Sequence, residues 1–229
     1  MKDIWRIAVS ILFILLIFIA TPIFYTLFSL IPHLGKFLAN NPSILQHFVM
    51  ILVSCLLMTW IAKGNRKDYG LTLSWKFPVL RVVSFSIALG LIATLIIILL
   101  DFSTGSMPAE GMSMLQRILF VWLLASIAEE TLFRGLIQGY LAPLKIISLK
   151  IGNVKLTLPV IVAALFFALV HLMLLIMGVY PGVVLLIVIF GFILGLLAGY
   201  YKEATGSLLP AFIVHACFNI GGSLPGLFF

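Results

Sequence analysis

Glu129 and Glu130 stand side by side in a stretch that is otherwise almost wholly apolar, and Arg134 follows one turn later. The chain has only seven acidic residues and places two of them here. Ionisable side chains at bilayer depth are costly, so they are rare and usually functional. In a helix, Glu130 and Arg134 are four residues apart and share a face, where they can pair and lessen the cost of burying both charges. Glu129 points about 100° away and has no counter-charge on its own helix. A carboxylate in that position suits a general base.

Two further segments carry polar groups inside apolar runs. One reads Phe166-Phe167-Ala168-Leu169-Val170-His171; in the other, His215 and Asn219 are four apart and project toward one volume. An imidazole and an amide can both donate to a developing oxyanion. His171 falls roughly 20 Å along its helix, at the 1.5 Å rise per residue, which matches the depth expected of Glu129. Amide hydrolysis needs a base for water, donors for the oxyanion and an acid for the leaving amine, and these types supply all three. Cys217 faces away from His215, and neither Ser126 nor Ser207 has a histidine base at helical spacing, so a thiol or serine nucleophile is not expected. The competing interpretation of each polar pair is a clasp between helices, worth about 1 kcal/mol per contact in a membrane.

These groups must be held by helices in lipid. Of 229 residues, 63% are hydrophobic and 9% charged, and mean hydropathy is +1.28. A soluble domain could not cover its surface with so few charges, so the expected fold is all-α, a polytopic transmembrane bundle. Seven runs approach the roughly 20 residues that cross a bilayer, at about 7–31, 44–62, 80–100, 115–140, 158–178, 181–201 and 204–223. The first begins after Lys2 and Arg6 like a signal peptide, but is too long and lacks a small-residue cleavage site; it reads as a retained span. Residues 1–229 form one membrane domain, with the motifs in a core at about 115–223 and an expected conical cavity opening to the cytoplasm.

The net charge of +7 does not point to nucleic acid, because the basic residues are spread over short loops. With seven spans, Lys2, Arg6, Lys63, Arg66, Lys67, Lys76, Arg81, Lys145, Lys150, Lys155 and Lys202 fall on one side and Lys36 and Arg117 on the other. That asymmetry predicts a cytoplasmic N-terminus and an outer C-terminus. Gly152-Asn153 suggests a small hairpin, and Gly178–Pro181 a tight turn. Gly191, Gly195 and Gly199 form a stripe for close helix packing. Cys55 and Cys217, in different runs, read as buried small apolar residues.

Taken together, Glu129-Glu130-(three)-Arg134, Phe167-(three)-His171 and His215-(three)-Asn219 resemble, in type and order, the motifs of the CPBP family of intramembrane glutamic endopeptidases. This is also called the CAAX protease/Abi family and includes the type II CAAX prenyl endopeptidases. The resemblance implies that Glu129 and His171 activate a water, that His215 and Asn219 stabilise the oxyanion, and that Glu130, Arg134 and Phe167 support them. It implies no cofactor and no metal. The substrate would be a membrane-associated protein or peptide, with prenylated C-a-a-X proteins among the options, and the other partner is the lipid bilayer. The compact chain is similar to prokaryotic members, which places it in a cytoplasmic membrane. Three alternatives stay open. Glu129, His171 and His215 could form a two-His, one-carboxylate zinc site, although no H-E-x-x-H is present. The same fold could act as a non-catalytic scaffold or chaperone, or the buried set could relay protons.

Overall fold

The computed structural model describes residues 4–102 and 111–227. The chain is mostly helical: α1 (Ile4–Ser29), α2 (Pro32–Asn40), α3 (Pro42–Ile61), α4 (Val79–Leu99), then α5, a continuous helical segment over 114–140. A two-stranded hairpin, β1 (Ser148–Ile151) and β2 (Val154–Thr157), leads to α6 (Leu158–Val170) and the single turn α7 (Met173–Ile176). The long α8 (Pro181–Thr205) and α9 (Leu209–Ser223) complete the bundle. Proline sits in the first turn of α2, α3, α6, α8 and α9, where its missing N–H costs nothing. α5 starts at a capping box in which Ser113 and Gln116 exchange backbone and side-chain hydrogen bonds. α8 stops at Gly206, which takes the left-handed conformation at φ 68.

Among the described residues, five helices are long and apolar enough to cross a membrane: Ile4–Ser29, Ser43–Ile61, Val79–Leu99, Leu158–Ile176 and Pro181–Thr205. They mark the chain as an integral membrane protein. The two remaining predicted spans are helical but differ in kind. α9 is a shorter apolar helix of 15 residues. α5 alternates between α and π turns, with π geometry over Arg117–Ala125 and Thr131–Ile137 and α geometry over Ser126–Glu130 between them.

The expected hairpin is present: Ile151 pairs with Val154 across Gly152-Asn153, and Gly152 has φ 58. The turn at Gly178 is present too, at φ 83. The cysteines correct one expectation. Cys55 is exposed and Cys217 only half-buried, both as free thiols. On a spanning helix the outer face meets acyl chains, so a small apolar side chain gains nothing by turning inward.

Packing around the motif helices depends on small residues. A Cβ on Gly195 would lie 2.9 Å from both Ala164 Cα on α6 and Arg134 Nη2 on α5, so this part of the α8 stripe lets three helices meet. The tightest approach is elsewhere, between α4 and α9. A Cβ on Gly90 would meet Phe218 O at 2.0 Å, and one on Gly221 would meet Ile87 O at 2.1 Å. Thr94 Oγ1 donates to Gly222 O at 2.9 Å along the same seam. Backbone atoms cannot yield as a flexible side chain would. Gly90→Ala and Gly221→Ala should therefore each force α4 from α9, costing about 1–3 kcal/mol. Thermal unfolding in detergent checks this: both variants should melt lower than wild type, and Gly226→Ala, where nothing lies within 4 Å, should not.

At the end of the bundle that carries the basic loops, the α3–α4 connection docks onto the start of α9. Leu208 N donates to Gly70 O at 2.9 Å, and Leu71 bridges Ser207. Buried Lys202 donates to Asp68 O, while the Asp68 carboxylate holds Lys145 at 2.7 Å. Burial alone would raise the Asp68 carboxyl, but the bonded Lys145 ammonium and Asn65 outweigh it and hold it below its ordinary value.

Candidate active site

The segment Ser126–Glu130 is a short α-helical island between two π stretches. π turns inside α-helices are rare and gather at functional sites, because they re-aim side chains. Side-chain donors serve carbonyls in and beside these irregular turns: Thr131 Oγ1 donates to Ile127 O at 2.6 Å, and Asn219 Nδ2 to Val121 O at 3.0 Å. Trp122 Nε1 donates to Ser223 Oγ at 3.1 Å and ties the start of α5 to the end of α9.

Glu130 and Arg134 pair along α5, with Nη1 3.1 Å from Oε1 and both side chains fully buried. The guanidinium also stacks over Phe167, 4.4 Å from the ring centroid. Such a contact strengthens when it is shielded from water. His215 reaches the same carboxylate from α9: its Nδ1 is 2.8 Å from Glu130 Oε1. An ionised carboxylate only accepts, so Nδ1 bears the hydrogen. Glu130 therefore fixes the orientation of the His215 ring and directs Nε2 elsewhere. That atom stands 3.7 Å from Glu129 Oε2.

Glu129 is flanked on its other oxygen as well. His47 Nε2, from α3, lies 3.8 Å from Oε1. Both separations exceed hydrogen-bond length, which leaves the carboxylate lone pairs open. A water placed about 2.8 Å from both Glu129 Oε2 and His215 Nε2 fits the 3.7 Å gap.

His171 follows the last residue of α6, and its Nδ1 is 2.8 Å from Phe167 O, one turn back. A carbonyl cannot donate, so Nδ1 carries the proton and Nε2 of the neutral ring keeps a lone pair. Phe167 stands between the two imidazoles, edge-on to His171 (centroids 5.0 Å apart) and to His215 (5.5 Å). His171, His215, Asn219 and Phe167 line one cavity of about 580 Å³. Glu129 is not in that lining and meets the cavity group through His215.

The cavity walls come from the starts of α5 (Arg117, Val121) and α8 (Val183, Leu186) and from the ends of α4 (Ile97, Ile98) and α9 (Asn219, Ser223). These are the helix ends remote from the basic loops. The expectations that the basic loops are cytoplasmic and that the cavity opens to the cytoplasm thus point to opposite ends of the bundle. Asn219 brings a second adjustment. Its amide nitrogen donates to Val121 O at 3.0 Å and to Ser126 Oγ at 3.2 Å, so both hydrogens are engaged within the bundle. Among the described residues, no three His, Cys, Asp or Glu side chains are grouped to hold a metal ion.

Residues 111–221 match the model of a family described as type II CAAX prenyl endopeptidase Rce1-like. This segment belongs to that family. The match spans the three motifs and every helix that contributes to the cavity except α4. The Rce1-like family is one of peptidases, and it implies a CAAX-type intramembrane protease. No curated protein and no solved structure matches the chain.

His47 is the residue that sequence reasoning missed. It precedes the Rce1-like segment and belongs to no motif, yet it approaches the carboxylate as closely as His215 does. The signal was present: His47 is an ionisable residue within an apolar run, which is the test that singled out Glu129.

Proposed function

We propose that the chain is a glutamate-dependent, metal-independent intramembrane endopeptidase that cleaves a peptide bond in a membrane-associated protein or peptide, with prenylated C-a-a-X ends among its candidate substrates. The observation that carries this reading is the bridging of the two glutamates by His215, which itself lines the cavity: Nδ1 holds the buried, Arg134-paired Glu130, and Nε2 faces Glu129. A structural clasp would close its hydrogen bonds. Here the Glu129 contacts, at 3.7 and 3.8 Å, lie beyond hydrogen-bond length, so its oxygens stay free to accept from a water that bridges from the side.

In this mechanism Glu129 takes a proton from water as its oxygen attacks the carbonyl carbon. The π electrons of the carbonyl move onto its oxygen, and His215 Nε2 donates to the resulting O⁻ when its ring carries both protons. Collapse breaks the C–N bond, and Glu129 returns the proton to the leaving amine. His171, with its free Nε2, accepts a hydrogen bond from the same water and aims it. Asn219 contributes a donor once it releases its longer bond, to Ser126. Glu130, Arg134 and Phe167 hold His215 in place.

For the chain in the membrane, we infer seven crossings, with α5 and α9 joining the five long apolar helices. The basic loops lie in the cytoplasm, Lys2 at that end falling outside the described residues. On that orientation the cavity sits in the outer half of the bilayer, whereas the sequence reading expected it to open to the cytoplasm. The test is cleavage of a quenched, lipid-modified C-a-a-X peptide and of an unmodified hydrophobic peptide by the purified protein in detergent. Turnover should survive excess chelator. Loss of turnover with chelator, restored by Zn²⁺, would replace this mechanism with metal-assisted hydrolysis.

A further inference from the structure

Glu129 has two oxygens, and the reading above uses only one. Oε2 faces His215 and the cavity group; Oε1 faces His47 Nε2 at 3.8 Å across the α3–α5 interface. An imidazole inside an apolar helix is costly unless it meets a partner, and the Glu129 carboxylate is the one acidic group at salt-bridge range among the described residues. The other ring nitrogen settles the tautomer. His47 Nδ1 is buried and without a hydrogen-bond partner. A bare buried donor is rarer than an under-used acceptor, so Nδ1 keeps its lone pair and the proton sits on Nε2, aimed at Glu129.

We infer that His47 is a positioning residue for the hydrolytic reaction: it donates from Nε2 to Glu129 Oε1 and so reserves Oε2 as the oxygen that takes the proton from water. The inference rests on the reading of Glu129 as base. A turn of the Glu129 carboxylate that moves Oε1 by about 1 Å brings the contact into hydrogen-bond range. Held in this way, the carboxylate cannot swing its basic lone pairs toward α3 and away from the cavity. The arrangement couples α3, outside the Rce1-like segment, to the chemistry inside it.

The experiment compares His47→Met and His47→Phe, which lack the donor, with His47→Gln, whose amide N–H reaches a similar position. All are assayed on the peptide that the wild-type protein turns over fastest, beside Glu129→Gln. The donor-free variants should lose about 10- to 100-fold in kcat, the scale typical of residues that orient a catalytic group, with KM within about twofold. His47→Gln should recover to within about fivefold of wild type. Unfolding temperatures of the variants that purify should match wild type, and two donor-free side chains of different shape guard against one failing to fold. The inference is overturned if His47→Gln loses as much as His47→Met or His47→Phe, if the loss is in KM, or if it follows the unfolding temperature. Turnover by Glu129→Gln within tenfold of wild type would instead overturn the underlying assignment of the base, whatever the His47 variants do.

Discussion

Purified Glu129→Gln should fold, melt at the wild-type temperature and fail to hydrolyse peptide. The side chain is part-exposed and stays 3.7 and 3.8 Å from its imidazole neighbours, and an amide oxygen can still accept from His47, so an isosteric amide removes little packing. What it removes is the ability to take a proton from water. A positioned general base contributes about 10²–10⁴ in rate, and here the same group also protonates the leaving amine, so the loss should reach the upper end of that range. His171→Ala should follow it closely. His215→Ala should cost about 10²–10³, the scale of an oxyanion donor. Single-turnover assays on a cleavable peptide, beside binding of the same peptide, separate lost chemistry from lost affinity. Turnover in Glu129→Gln within tenfold of wild type would end the assignment. A non-catalytic scaffold predicts the opposite pattern, with function in cells retained by this variant.

The motif residues were legible because membranes make polarity conspicuous. Each of Glu129, Glu130, Arg134, His171, His215 and Asn219 interrupts an apolar run, and four-residue spacing correctly paired Glu130 with Arg134. The Gly152-Asn153 hairpin was readable from turn chemistry alone. Other features were not available from one dimension. The π turns of α5 leave no periodicity signature in a helix that is apolar on every side, so the span was read as regular. The α4–α9 seam rests on Gly90 and the Gly221-Gly222 pair, which register as a contact only when two helices are brought together. The α8 stripe was visible because its three glycines recur along one helix, yet Gly191 makes only ordinary contact there. Asn219 was assigned to the oxyanion by resemblance, and only coordinates reveal that its amide hydrogens serve Val121 and Ser126. His47 belongs to none of the three motifs and stands near the start of α3 beside Gln46, so only the fold reveals that it faces Glu129.

The largest expected stability effect belongs to Arg134. Its side chain and that of Glu130 are fully buried, and its guanidinium lies over Phe167. Arg134→Met fills much of the same volume and keeps a sulfur–aromatic contact with Phe167. It nevertheless leaves the Glu130 carboxylate in an apolar interior with His215 Nδ1 as its remaining bonded partner. Breaking one side of a buried ion pair costs about 3–5 kcal/mol, chiefly through the uncompensated charge that remains. Glu130→Gln should cost a similar amount by stranding the guanidinium, although its amide oxygen can still accept from His215. Replacing both together removes both charges, so Glu130→Gln with Arg134→Met should regain most of the loss and end well above either single variant. Unfolding by denaturant in mixed micelles supplies the four free energies of this cycle. Strong coupling would mean that Arg134 is retained to neutralise Glu130 in the bilayer, and that Glu130 in turn is retained to aim His215 at Glu129. Losses that simply add would dissolve the pair into two independent residues. The chain of orientation from Arg134 through Glu130 to His215 would then have no energetic basis.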